Sequence, residues 1–264
     1  MQTFNYTRPA SVADAAKALA AASDGKLVAG GQTLLPTMKQ RLAAPSDLID
    51  LGGIAELKGI KMDGNNLVIG AMTTHAEVAK SAVVKGAIPA LAALADLIGD
   101  PQVRNRGTIG GSISNNDPAA DYPAGLVGLG ATVITNKRKI AADDFFKGLF
   151  ETALEAGEIV TAVSFPKPDK AAYAKFPQPA SRFALVGVFI SKAGGNVRVA
   201  VTGAGSKVFR QAEMEKALSA NFSADAIKSV KVSASGLNSD IHGSADYRAH
   251  LVGVMARRAV AAAG

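Results

Sequence analysis

Two glycine pairs in the first half of the sequence constrain the fold more than any other feature. The first, Gly30-Gly31, follows the apolar run Lys26–Ala29, which predicts a short buried strand, and polar Gln32 and Thr33 come directly after it. Glycine adopts positive φ and lets another group approach the backbone closely. A strand that ends in such a pair therefore predicts a tight turn whose successive N–H groups form an anion-binding nest.

The second pair, Gly110-Gly111, lies in a longer polar stretch, residues 100–121, which has neither a helical nor a strand period. A loop of this length in a folded domain is usually functional. Thr108, Ser112 and Ser114 add hydroxyls around the glycines, and the amides and carboxylates that continue to Asp121 suit sugar hydroxyls. Two such loops together favour a diphosphate held between two lobes.

Neither pair is a standard nucleotide motif, because no G-x-G-x-x-G follows a strand and no G-x-x-x-x-G-K-[ST] occurs. Residues 201–206 resemble a dinucleotide turn, but the third glycine is missing. Taken alone, each glycine pair is also consistent with a tight turn that binds nothing. The nucleotide interpretation depends on the two pairs occurring together.

Composition excludes several classes of protein. The chain of 264 residues has no cysteine and only three histidines, so disulfides, thiolate zinc sites and iron–sulfur clusters within it are excluded. The net charge of +7 comes from scattered basic residues, which disfavours nucleic acid as a partner. No apolar stretch is long enough to span a membrane and the N-terminus lacks a signal-peptide pattern, which predicts a cytoplasmic protein.

Strands and helices are predicted without strict βαβ alternation, so the α+β class is favoured. Ser11 is a predicted N-cap, and Thr74 with Glu77 forms a predicted capping box. The predicted strands cover residues 26–29, 47–51, 131–135 and 158–165, with hairpins at 58–71 and 183–202. The predicted helices lie within residues 12–24, 33–42, 74–78, 88–98, 122–129, 211–219, 224–229 and 244–262. The polar, proline-rich stretch 166–181 indicates a domain boundary.

Three polar features receive a structural interpretation. His75 has two interpretations, a position near the adenine of a nucleotide and a satisfied surface or core histidine, and the second is favoured. Asp143 and Asp144 are predicted to cap a short helix. Asp100 and Asp117 have no recognisable partner and are assigned to loop structure.

Several motifs together resemble one known family. These are Ala29–Thr33, Pro36–Lys39 and Asp47–Asp50, then Arg104–Gly111 and Asn116–Pro123, and finally Gly243–Arg248 with Arg257-Arg258. They resemble the FAD-binding medium subunit of molybdenum hydroxylases, the relatives of carbon monoxide dehydrogenase and xanthine dehydrogenase. The resemblance extends from about Phe4 to Val260 and is far more specific than either glycine pair.

The resemblance implies a two-lobed FAD-binding domain of the vanillyl-alcohol-oxidase (PCMH) type, with one lobe at residues 1–57 and the other at 58–168. It implies a C-terminal α+β domain at residues 169–264, with an antiparallel sheet and helices. It also implies a pyrophosphate held by residues 29–33 and 108–111.

The resemblance assigns cofactor-binding residues but no catalytic residue and no metal ligand. The first FAD segment comprises Lys26, Val28, Ala29, Gly30, Gly31, Gln32, Thr33 and Leu34. The second comprises Thr108, Gly110, Gly111, Ser112, Ser114, Asn115 and Asp121. Asp121 is expected to bind a cofactor hydroxyl and Lys175 to lie near the flavin, while Ile159 or Val160 touches its ring. An aromatic cover is expected from Tyr173, Phe176 or Phe183, with no means of choosing among them.

The implied function is electron transfer within a heterotrimer. A large subunit carries the molybdenum cofactor, a small subunit carries two 2Fe-2S clusters, and electrons reach FAD in this chain before an external acceptor takes them. A dimer of heterotrimers is expected. A stand-alone FAD-dependent oxidase or reductase and a flavin-free assembly subunit remain as alternatives. The absence of cysteine fits the main hypothesis, because the clusters then belong to another chain.

Overall fold

A computed structural model describes all 264 residues, which form three sheets, a two-stranded ribbon and eleven α-helices. The first sheet is parallel, in the order β1-β3-β2. Its strands and helices are β1 (Asn5–Thr7), α1 (Val12–Ala21), β2 (Gly25–Val28), α2 (Leu34–Lys39) and β3 (Asp47–Asp50). The predicted cap at Ser11 is confirmed, because its side chain accepts a hydrogen bond from the Asp14 N–H. The first glycine pair therefore lies between β2 and α2.

The second sheet is antiparallel and has five strands. They are β4 (Ile60–Asp63), β5 (Asn66–Gly70), β6 (Thr132–Thr135), β7 (Lys139–Ala141) and β10 (Val160–Pro166). The strand order is β4-β5-β10-β6-β7. The ribbon pairs β8 (Phe146–Gly148) with β9 (Glu151–Thr152). The predicted hairpin at residues 58–71 is confirmed, and its turn contains Gly64 at a φ of 58°.

Seven helices accompany the second sheet. They are α3 (His75–Lys80), α4 (Ala82–Ala87), α5 (Pro89–Asp96), α6 (Pro101–Arg106), α7 (Ile109–Asn115), α8 (Tyr122–Leu129) and α9 (Ala142–Phe145). The capping box of Thr74 and Glu77 is confirmed. Asp143 and Asp144 lie inside the first turn of α9 instead of capping it, because Ala141 occupies the cap position.

The prediction of a structureless loop over residues 100–121 is wrong, because α6 and α7 lie within it. Asp100 caps α6 by accepting a hydrogen bond from the Val103 N–H, and Pro101 begins the helix with its φ already fixed. Thr108 caps α7 by accepting a hydrogen bond from the Gly111 N–H. The Thr108 cap offsets the low helix propensity of Gly110 and Gly111 in α7.

The third sheet is antiparallel and runs in the order β11-β12-β13-β14. Its elements are β11 (Lys170–Pro177), β12 (Ala184–Ala193), β13 (Asn196–Thr202), β14 (Phe209–Arg210), α10 (Ala212–Ala220) and α11 (Ala245–Ala263). The predicted hairpin at 183–202 is confirmed. The polar stretch 166–181 is not a linker throughout, since β11 occupies its centre and pairs along β12.

The hydrophobic cores do not follow the sheets one for one. The core beneath the second sheet includes Phe189 and Ala200, which belong to β12 and β13 of the third sheet. Gly128 of α8 makes this possible, because a Cβ there would lie 2.8 Å from Cδ1 of Phe189. The third sheet thus shares a core with α8, while other residues of the sheet, such as Val188, form a separate core with α10 and α11. None of the helices combines the length and apolar character needed to cross a membrane.

Candidate functional site

A cavity of about 680 Å³ is lined by residues of both glycine segments and of other parts of the chain. Every predicted cofactor-binding residue except Lys175 lines it. These are Lys26, Val28, Ala29, Gly30, Gly31, Gln32, Thr33, Leu34, Thr108, Gly110, Gly111, Ser112, Ser114, Asn115, Asp121 and Ile159. The volume is typical of sites for small molecules and cofactors.

The first glycine pair forms an open row of donors. The backbone N–H groups of Gly30, Gly31, Gln32 and Thr33 donate no hydrogen bond within the chain. Gly31 has a φ of 73°, a left-handed conformation that favours glycine. A row of successive free N–H groups on a cavity wall is suited to an anion such as a diphosphate.

The same loop touches the second segment through bare backbone. A Cβ on Gly30 would lie 2.1 Å from the carbonyl oxygen of Arg106 and 2.8 Å from Cα of Gly107. No side chain fits at this contact. Position 30 therefore requires glycine because the backbone of Arg106 and Gly107 lies against it. Position 31 favours glycine because of its own backbone conformation.

The second glycine pair is closed. Gly110 donates its N–H to the Ala71 carbonyl at 2.8 Å, and Gly111 donates its N–H to Oγ1 of Thr108 at 3.1 Å. A Cβ on Gly110 would lie 2.6 Å from Cβ and 2.7 Å from O of Ala71. These two N–H groups are therefore not available for the pyrophosphate contact expected at residues 108–111, because the chain already uses both. Here glycine lets α7 pack closely on the end of β5.

Polar side chains on the cavity wall supply the free hydrogen-bonding groups that the second glycine pair does not. Ser112, Ser114 and Asn115 of α7 line the cavity and make no side-chain hydrogen bond within the chain. The side chains of Gln32 and Thr33 are equally free. A ligand bound here meets several uncommitted hydroxyls and amides, in addition to the free backbone donors of the first loop.

Asp121 contributes a buried carboxylate that accepts hydrogen bonds from two side chains of β11. Its Oδ1 accepts a hydrogen bond of 2.6 Å from the Tyr173 hydroxyl, and its Oδ2 accepts one of 3.0 Å from Nζ of Lys175. Burial raises the pKa of the Asp121 carboxyl, and the charge of Lys175 opposes that rise. Lys175 also donates to the Leu97 carbonyl at 3.0 Å and does not line the cavity. Its link to the cavity runs through Asp121.

The aromatic candidates are separated by their surroundings. Tyr173 stacks on Phe189, and Phe176 packs edge-on against Tyr247. Phe183 alone among the three lines the cavity, with 46% of its surface exposed. Phe150 also lines the cavity, at the tip of the β8–β9 ribbon with a φ of 55°, and sequence reasoning did not consider it.

His75 is a cavity residue, and its prediction as a satisfied histidine is wrong. The side chain is buried, Nδ1 has no hydrogen-bond partner, and the ring lies 5.3 Å from that of Tyr122. Burial, reinforced by the charge of Arg104, lowers the pKa of His75 to about 4, so the ring is neutral at pH 7. The capping box at Thr74 places His75 at the first position of α3, where its own N–H bonds the Gly107 carbonyl.

Other lining residues carry no motif that could have identified them. They are scattered along the sequence and meet only in the fold: Leu51, Ala71, Met72, Ile98, Gly99, Val103, Leu154, Glu158, Ser181 and Arg182 are examples. Several of them are apolar, so the cavity offers apolar as well as polar side chains to a ligand. A group with a diphosphate, a polyhydroxyl chain and a flat ring system fits such a mixed lining, and FAD is such a group.

Comparison with known proteins agrees with the geometry. Residues 2–168 match the family described as "FAD binding domain in molybdopterin dehydrogenase", and residues 171–263 match "CO dehydrogenase flavoprotein C-terminal domain". The chain is 38% identical to the nicotine 6-hydroxylase medium subunit of Paenarthrobacter nicotinovorans, over 100% of this chain and 98% of that protein. It is 37% identical to the carbon monoxide dehydrogenase medium chain of Hydrogenophaga pseudoflava, over 98% and 96% of the two chains.

A solved structure shows the same fold. A chain of reconstituted CO dehydrogenase from Oligotropha carboxidovorans superposes with a TM-score of 0.89 at 34% identity. The match covers 99% of this chain and 98% of that one. The relatives and this chain are therefore alike from end to end.

Proposed function

Because this chain belongs to the family of FAD-binding medium subunits of molybdenum hydroxylases, we propose that the cavity described above is its FAD site. The chain is an oxidoreductase subunit of that family, and its cofactor is FAD. The observation that supports the site is the row of free backbone N–H groups from Gly30 to Thr33 on the cavity wall. Binding an anionic diphosphate satisfies donors that the chain leaves unpaired.

Each wall of the cavity has a part in holding the cofactor. The N–H groups of the first loop bind the diphosphate, and Ser112, Ser114 and Asn115 bind its oxygens or the neighbouring hydroxyls. The Asp121 carboxylate accepts a hydrogen bond from a hydroxyl of the cofactor, and Lys175 holds that carboxylate by donating a hydrogen bond to its Oδ2. Ile159, Val160 and Phe183 provide the apolar surface for the ring system, with Phe183 as its aromatic cover.

FAD supplies hydride and single-electron chemistry when bound, and the protein supplies binding, orientation and electrostatics. No acid or base from this chain is required for electron transfer. The chain's own task is to fix the position of the cofactor and to keep water from one side of it. The carboxylate of Asp121 and the neutral imidazole of His75 are two of the buried polar groups in the cavity lining.

The relatives are named as medium chains or medium subunits, which indicates complexes with further subunits. We propose a small partner with 2Fe-2S clusters and a large partner with the molybdenum cofactor, assembled as a cytoplasmic dimer of heterotrimers. Electrons then pass from the clusters to FAD and on to an external acceptor. The division into lobes at residues 1–57 and 58–168 and a C-terminal domain at 169–264 is part of this proposal.

Two measurements test the proposal. The visible absorption spectrum of the purified chain, with identification of the released cofactor, is expected to show stoichiometric FAD. Purification from the native host through a tag on this chain is expected to bring down a cysteine-rich chain and a large chain. Bound FAD without these partners would favour a stand-alone oxidase or reductase, and partners without FAD would favour an assembly subunit.

A further inference from the structure

Two side chains of β11 reach the cavity carboxylate from the third sheet. Tyr173 and Lys175 are two residues apart on one strand, so they lie on the same face of the sheet. Their side chains meet Asp121, which immediately precedes α8 on the opposite side of the interface. The carboxylate is thus oriented by residues outside both glycine segments.

Gly187 of β12 makes room for the Tyr173 hydroxyl. In the β11–β12 register Gly187 lies opposite Lys175, and Phe189 lies opposite Tyr173. A Cβ on Gly187 would lie 2.2 Å from the Tyr173 hydroxyl oxygen and 2.9 Å from Cζ. Any other residue at position 187 displaces the phenol from the position at which it bonds Asp121.

The geometry leaves the carboxylate able to bind one more donor. A carboxylate offers about four acceptor positions, and here the donors are one hydroxyl and one ammonium group. Tyr173 is itself fixed by stacking on Phe189, with ring centroids 6.2 Å apart. The unused lone pairs of the Asp121 carboxylate are therefore held in a fixed direction, and Asp121 lines the cavity.

We propose that Tyr173 is a positioning residue for FAD, and that Gly187 is glycine so that the Tyr173 hydroxyl can orient the Asp121 carboxylate toward a hydroxyl of the cofactor. This inference rests on the proposed function, in which the cavity holds FAD. Tyr173 acts through Asp121 and does not itself line the cavity.

The first test is Tyr173→Phe in the full chain. We expect FAD affinity, titrated by flavin fluorescence well below the melting temperature, to fall about tenfold, the effect of one lost hydrogen bond to a charged group. At saturating FAD we expect a changed visible circular dichroism spectrum, because the bound cofactor is oriented differently. Unchanged affinity and an unchanged spectrum in a variant that is merely less stable would overturn the proposal.

The second test is Gly187→Ala, with Gly195→Ala as the matched control in the turn after β12, where a Cβ meets nothing within 4 Å. We expect Gly187→Ala to weaken FAD binding and Gly195→Ala to leave it unchanged. In the Tyr173→Phe background, Gly187→Ala should weaken binding less than it does in the wild type. Fully additive effects would overturn the role of Gly187. A wild-type chain that binds no FAD would instead refute the proposed function.

Discussion

The two glycine pairs have the same sequence but opposite hydrogen-bonding states of their backbone N–H groups. Between Gly30 and Thr33 the backbone N–H groups are free and line the cavity, whereas the N–H groups of Gly110 and Gly111 are both bonded within the chain. The first pair leaves its donors to a ligand, and the second lets a helix approach Ala71. A glycine pair thus indicates close approach to a backbone, and the acceptors around it decide whether a ligand or the chain itself approaches.

Gly110→Val tests the closed pair and should have the largest effect. Two added methyl groups and a Cβ must fit where Ala71 backbone already lies at 2.7 Å, so the apo chain should lose several kcal/mol of stability or fail to fold. Thermal unfolding of the apo protein measures this. Gly86→Val is the matched control, since Gly86 is also helical and a Cβ there meets nothing within 4 Å. A stable Gly110→Val variant would remove the distinction between the pairs.

Gly31→Ala tests the open pair. A Cβ at a φ of 73° costs about 1 kcal/mol. Its close contacts are with side-chain atoms, Cδ1 and Cγ of Leu35 at 2.8 and 3.0 Å, so the apo chain should still fold. Because the strain is relieved by tilting the free N–H groups, FAD affinity should fall roughly tenfold or more. Gly64→Ala is the control, with a φ of 58° and no atom within 4 Å of its Cβ. Equal FAD affinity in both variants would show that the first loop is not a donor row.

Two hydroxyls of the second segment are expected to serve different ends, one the fold and the other the ligand. Thr108→Ala removes the cap of α7 and should lower apo stability by about 1 kcal/mol. Ser112→Ala removes a hydroxyl without a partner in the chain, so it should weaken FAD binding several-fold and leave apo stability unchanged. Paired urea denaturation and FAD titration separate the two effects. A destabilised Ser112→Ala variant would show that its hydroxyl serves the fold.

The smallest expected effect is a pH dependence at His75. Its pKa of about 4 lies below the usual value, so the unfolded chain binds the proton first and stability falls as the pH decreases from 6.5 toward 4. Between pH 6.5 and 5.5 the loss should be at most about 1 kcal/mol, and His75→Gln should lack it. Glu158, whose pKa is lowered to about 2 chiefly by its bond with Arg138, titrates below this window. An equal slope in both proteins would refute the neutral, buried state of His75.

The elements with strong local signals were predictable from sequence. The cap at Ser11, the capping box at Thr74 and the hairpin at Gly64 are each decided by neighbours in the chain, and all three are confirmed. Helices α6 and α7 were missed because their apolar period is weak, although Asp100-Pro101 and Thr108 are good start signals. β11 was missed because its polar residues pair with acceptors, such as Asp121, that are distant in sequence.

Site residues that belong to a sequence motif were predictable, whereas those that only tertiary packing brings to the cavity were not. All but one of the proposed FAD residues line the cavity, and most of them lie in two short segments. Lys175 does not line it, and its ammonium group bonds the Asp121 carboxylate and the Leu97 carbonyl. Phe150 and His75 carry no cofactor motif, and only the packing of the ribbon and of α3 brings them to the cavity.

The sharing of Phe189 between two regions has a consequence for dividing the chain. The third sheet supplies Phe189 to the core under α8, and residues 167–169 alone separate β10 from β11. A chain cut at this junction would leave Gly128 without the Phe189 ring that packs on it, and Asp121 without Tyr173 or Lys175. The two family matches therefore meet within a shared core, and we expect residues 1–168 to depend on the third sheet for a stable fold. Expression of residues 1–168 alone should yield aggregated protein.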